Sequence, residues 1–126
     1  MKAILDTSVL LATDVAELEG ELAISAASLA DLHFGVLATA DAAIRAERLR
    51  RLSNLQHAFD ALPVDDDVAV SYGQLAAAVA ATGRQPRSRV MDLLIAATAH
   101  AHDARLYTRN AADLVGFEHL IDIVAV

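Results

Sequence analysis

Cysteine is absent from the 126 residues, which excludes disulfides and thiolate metal sites together. Lysine is almost absent: Lys2 stands alone beside nine arginines. No apolar run is long enough to cross a bilayer, and the longest stretches are interrupted by Asp31 and Asp92. No secretory leader is expected, because the short apolar run after Met1 and Lys2 breaks at Asp6. Internal repeats, linkers and low-complexity tails are also lacking. These absences predict a cytoplasmic protein with no membrane association.

What is present is a 56% apolar composition, too hydrophobic for disorder. The length predicts a single domain over residues 1–126 that buries about two-thirds of its unfolded surface. The formal charge of −7 argues against loose electrostatic association with nucleic acid. It does not exclude a nuclease, since an acidic pocket built to bind cations would itself contribute to that charge.

Short apolar segments alternate with longer helical ones. Residues 2–5 read as a strand buried on both faces. Thr7 or Ser8 is the expected cap of a short helix through Leu11. Residues 22–24 and 61–64 are candidate strands. Ser25 caps a helix carrying Leu29, Leu32 and Val36. Asp41 caps a longer one whose stripe is Leu49, Leu52, Leu55 and Phe59. Asp65, Asp66 and Asp67 suit a helix N-terminus, with Val68, Tyr72, Leu75 and Val79 along one face and Gly83 at the end. Residues 90–102 form a nearly all-apolar helix, 105–108 a strand, and Asn110 the cap of a short turn. Residues 121–124 are the last strand. The alternation predicts an α/β fold with a parallel sheet and helices on both faces.

Four carboxylates stand out against this apolar pattern. Asp6 ends a buried strand, where open parallel sheets bind ligands; it suits a metal ligand and a helix N-cap equally. Asp31 has Ala27, Ser28, Phe34 and Gly35 as helical neighbours and no evident cation, which fits either a site or a solvated face. Asp92 lies in RVMDLLIAATAHA with Ala96 and Ala99 following on its face, a costly place for an ion unless it is paired or metal-bound. Its structural alternative is an N-terminal acid favoured by the helix dipole and paired with Arg89. Asp113 fits the carboxyl edge of the sheet, or an ordinary first turn after Asn110. The conjunction carries more weight than any one residue, because all four fall near one sheet edge. Two carboxylates about 4 Å apart repel by about 4 kcal/mol at an effective dielectric of about 20. A shared pocket therefore binds cations or keeps some acids protonated.

The segments MKAILDTSVLL, ISAASLADLHFG and MDLLIAATAHAHDARLYTRNAADL resemble, in order and spacing, the motifs of PIN-domain ribonucleases. The resemblance is closest to the VapC-type toxins of toxin–antitoxin pairs, and it covers almost the whole chain. It implies a three-layer α/β/α domain with a parallel central sheet. Position by position, the family's four acids fall on Asp6, Asp31, Asp92 and Asp113. Its hydroxyl beside the first acid falls on Thr7 or Ser8, and its threonine and asparagine near the fourth acid fall on Thr108 and Asn110. There are departures. Asp31 stands where Glu is usual, one methylene shorter in reach. Leu114 replaces an aromatic residue after the fourth acid. The stretch between Leu11 and Leu22 is short for the group.

The implied activity is endoribonuclease hydrolysis of RNA phosphodiesters with Mg²⁺ or Mn²⁺ held by the four acids. The implied partners are RNA, a cognate antitoxin and a second copy in a homodimer. Arg84, Arg87 and Arg89 lead into the Asp92 helix and are candidate phosphate contacts. Arg45, Arg48, Arg50 and Arg51 share one helix and are weaker candidates, with Arg51 in reach of Glu47. The five histidines lack zinc-ligand spacing. A receiver-type phosphoacceptor needs a late lysine, and a two-aspartate phosphatase needs an acid where Ser8 stands. A PIN fold without activity, serving as a binding module, is the remaining alternative.

Overall fold

The computed structural model describes residues 1–12 and 17–126. Residues 13–16, inside the stretch that is short for the resembled group, lie outside the described residues. The strands are β1 (Lys2–Leu5), β2 (Glu21–Ser25), β3 (Ala61–Leu62), β4 (Arg105–Thr108) and β5 (Ile123–Ala125). The α-helices are α1 (Thr7–Leu11), α2 (Ala26–Leu37), α3 (Ala42–Ala58), α4 (Asp66–Ala81) and α5 (Val90–Ala101). The described strands form one all-parallel sheet in the order β3-β2-β1-β4-β5. Order reverses between β1 and β4, so the crevice beyond their carboxyl ends is a topological switch point.

Side chains of β1 alternate between two cores. Ile4 joins α4 and α5 through Leu75, Val79, Leu93 and Ile95, while Ala3 and Leu5 join Val9, Leu10, Ile24 and Tyr107 on the other face. Leu29, Leu32, Leu55 and Phe59 pack onto that second cluster. The three-layer α/β/α arrangement with a parallel central sheet is the one the resemblance implies. Among the described residues no helix is long and apolar enough to cross a membrane.

Several local expectations change. Asp6, not Thr7 or Ser8, caps α1: its side chain accepts from the Val9 N–H, and Thr7 is the first helical residue. The strand expected over 61–64 stops at Leu62, because Pro63 offers no N–H to a ladder. The strand expected over 121–124 pairs only over Ile123–Ala125. Helix α5 is preceded by a 3-10 turn at Pro86–Arg89. In α3, Leu52 is buried but Leu49 is 54% exposed. The N-terminal half of α3 runs beside the end of α2, where Arg48 donates to the Gly35 carbonyl at 2.7 Å, and only its later turns reach the core.

Candidate functional site

Strand β1 delivers Asp6 to the switch point: the Asp6 N–H donates to the Tyr107 carbonyl of β4 at 3.1 Å, which locks the two strand ends together. One Asp6 carboxylate oxygen accepts from the Val9 N–H at 3.2 Å and from the Ser8 hydroxyl. The capping and ligand readings of Asp6 are therefore compatible, since its second oxygen takes no part in either bond. Ser8 in turn accepts from the Arg109 N–H at 3.0 Å, and Thr108 Oγ1 accepts from the Asn110 N–H at 3.0 Å. These bonds fix the turn after β4. Asn110 does not cap the 3-10 turn at Ala111–Asp113 with its side chain, contrary to expectation.

Asp6, Asp92 and Asp113 line one cavity of about 250 Å³ with Thr7, Ser8, Thr108 and Asn110, closed on its apolar side by Leu11 and Leu114. Asp31 is not on its wall. It lines an adjoining groove of about 420 Å³ with Leu32, Ile44 and Leu55, and with Arg48 and Arg51. Thr7 and Leu11 border both spaces. The Thr7 hydroxyl sits 3.2 Å from Asp31 Oδ2 and 3.3 Å from the buried Ser28 hydroxyl. Thr7 thus stands between Asp31 and the cavity of the other three acids.

The acids still feel one another. The Asp92 carboxyl is pushed above its ordinary range, first by partial desolvation and then by Asp6, with smaller contributions from Asp31 and Asp113; Arg89 opposes them. Arg89 makes no ion pair with Asp92: its guanidinium donates to the main-chain carbonyl of Asp113 and ties that loop to the start of α5. Arg84 and Arg87 are exposed and off the cavity wall. Instead of pairing with Glu47, Arg51 donates to the Leu10 and Ala12 carbonyls at 3.0 and 3.3 Å.

The donors around the cavity are all oxygens, which suits a hard divalent cation. Among the described residues, no three His, Asp or Glu side chains close tightly enough to hold an ion unaided. Sequence reading missed the hydroxyls behind the site. Ser28 backs Thr7, and Ser25 and Thr98 bond to each other at 3.0 Å between α2 and α5. For Ser28 and Thr98 the signal was a small hydroxyl residue inside an otherwise apolar helix; Ser25, read only as a cap, ends β2.

The PIN domain family model matches residues 3–114. Ribonuclease VapC5 of Mycobacterium tuberculosis is 39% identical over 113 residues, 85% of this chain and 82% of that protein. Ribonuclease VapC8 of the same species is 35% identical over 100 residues, 76% of this chain and 88% of that protein. A crystal structure of VapBC-5 from Mycobacterium tuberculosis, described as a member of the VapBC family of toxin–antitoxin systems, superimposes with a TM-score of 0.82. It is 35% identical and covers 99% of this chain and 98% of its own. A three-layer parallel fold, acids gathered at the switch point and these likenesses agree: the chain belongs to the PIN-domain family and, within it, to the VapC-type ribonucleases.

Proposed function

We propose that this chain is the endoribonuclease toxin of a VapBC-type pair, a single PIN domain over residues 1–126 acting in the cytoplasm. The observation that carries the reading is the cavity at the switch point, walled by Asp6, Asp92 and Asp113. A bound Mg²⁺ or Mn²⁺ would supply an acidified water and neutralise charge on the phosphate. The chain's own part is placement. Asp6 is pinned by Val9 and Ser8, Asp113 by the Arg89 clamp on its main chain, and Asp92 by the first turn of α5. Thr108 and Asn110 shape the turn between Asp6 and Asp113. Asp31, through Thr7, adds negative charge from the second row and orients the hydroxyl between the two spaces. Arg84 and Arg87, exposed and just ahead of α5 in the chain, are candidate contacts for RNA phosphates. Arg89, whose guanidinium also reaches the Asp113 carbonyl, is the third candidate of this group for a phosphate contact.

The groove beside Asp31 supports the antitoxin half of the proposal. Its floor is apolar, Asp31 stands at the end next to the cavity, and Phe34 and Leu37 lie nearby on α2, each 73% exposed. An apolar antitoxin segment carrying an Arg or Lys would match both features. The exposed apolar side chains also offer surface for a homodimer.

The test is cleavage of structured RNA with Mg²⁺ or Mn²⁺ by the parent and by Asp92→Asn. The expected loss is about a hundredfold or more, the upper range for disturbing groups around a catalytic metal, with the circular dichroism spectrum unchanged. Equal cleavage by both proteins removes Asp92 from the chemistry. A parent that binds an antitoxin yet cleaves nothing with either ion favours the inactive binding module.

A further inference from the structure

We infer that Ser25 and Thr98 are a positioning pair: their buried hydroxyl contact sets how α2 and α5 stand against each other, and thereby how well the acidic cavity holds a divalent cation. The inference rests on the reading of that cavity as a cation site.

Neither residue lines the cavity, and both are fully buried. The Thr98 hydroxyl donates to the Leu94 carbonyl at 2.8 Å, so its one proton is spent. The 3.0 Å contact between the two hydroxyls must then run from Ser25 as donor to Thr98 as acceptor. Ser25 Oγ meanwhile accepts from the Ala27 N–H at 3.1 Å and caps α2. Every proton in this chain of bonds is assigned, and no buried side-chain polar atom among the described residues lacks a partner.

The surroundings make the pair directional. Around the pair Ala27, Ala96, Ala97 and Ala99 are small, and the large side chains of α5 that join Ala27 in the core are Leu93 and Ile95. To this apolar packing the hydrogen bond adds a direction and a preferred length. Its leverage is geometric. Asp31 lies six residues after Ser25 and Asp92 six before Thr98, about 9 Å along each helix at 1.5 Å per residue. Helices transmit small displacements as rigid bodies, so a change in the pair's spacing reaches the Asp92 carboxyl and the Asp31–Thr7 contact together.

The test is Mn²⁺ binding to the full chain, followed by calorimetry well below the melting temperature. Thr98→Val keeps the shape and removes the acceptor; it is expected to weaken Mn²⁺ binding about tenfold, the low end for residues behind metal ligands. Thr98→Ser restores the hydroxyl and is expected to return affinity to the parent value. Ser25→Ala carries the same expectation as Thr98→Val, and serves if the latter does not fold. Adding Thr98→Val to Ser25→Ala is expected to cost no further affinity, because the two act through one bond. Parent-like Mn²⁺ affinity in the folded Thr98→Val and Ser25→Ala proteins, with only their melting temperature lowered, overturns the pair's positioning role and leaves the cavity reading intact. A parent that binds Mn²⁺ no better than Asp92→Asn overturns the cavity reading, and the pair's role with it.

Discussion

At Asp92, a single carboxyl feels its own partial burial, three other acids and one arginine. Burial and Asp6 lead, so the folded protein holds the Asp92 proton more tightly than the unfolded chain, whose ordinary value is 3.8. The sign follows. Between 3.8 and the raised folded value the native state binds more protons, so stability contributed at this residue falls as pH rises through that window. Above it, the ionised side chain weighs against the metal-free fold. Asp92→Asn is therefore expected to raise the melting temperature at pH 7 without metal and to change it little at pH 3. Thermal melts across pH check this; identical pH profiles for the two proteins would mean that the carboxyl is not crowded. Asp92 was legible in the sequence because a charge in an apolar helix violates a simple energetic rule. The place of Asp31 was not, since it depends on where Thr7 falls between two helices, which no spacing encodes. Asp6 offered two readings; it caps α1, and its second oxygen leaves the ligand reading open, because a carboxylate has two oxygens.

Elements were legible wherever periodicity or a stop signal is strong, and their ends less so. β1 and β4 keep the bounds read from their residues, and α4 starts at the Asp65 cap, which accepts from the Val68 N–H at 3.1 Å. The short β3 follows from Pro63, a signal present in the sequence and outweighed by the apolar run around it. Helix α3 illustrates the harder limit. A stripe of leucines tells which face is apolar, but not how far along the helix another layer covers it. Leu52 meets the core and Leu49 meets solvent. Leu52→Ala is accordingly expected to cost about 2–5 kcal/mol, as large-to-small changes in cores do. Leu49→Ala is expected to stay within about 0.5 kcal/mol of the parent. Denaturant titrations compare them directly, and similar losses for both would place Leu49 in a packed interface in solution.

At the scale of the whole molecule, the proposed activity asks an acidic chain to hold an acidic substrate, and the fold concentrates this conflict at one edge of the sheet. The strand order puts the switch point between β1 and β4, and the acids gather there while the rest of the surface shares the remaining charge. A divalent cation that binds only the folded state stabilises it by about 2.7 kcal/mol at a hundredfold excess over its dissociation constant. For a chain of this size that is a rise in Tm on the order of 10 °C. General screening of a −7 charge would also stabilise the fold, but NaCl at matched ionic strength would do so equally well. Melting in Mg²⁺ or Mn²⁺ is expected to exceed melting in matched NaCl, to fall back on adding a chelator, and to lose the difference in Asp92→Asn. Equal shifts from the monovalent and divalent salts would reduce the cavity to part of a diffuse negative field, with RNA phosphate needed before any ion is held.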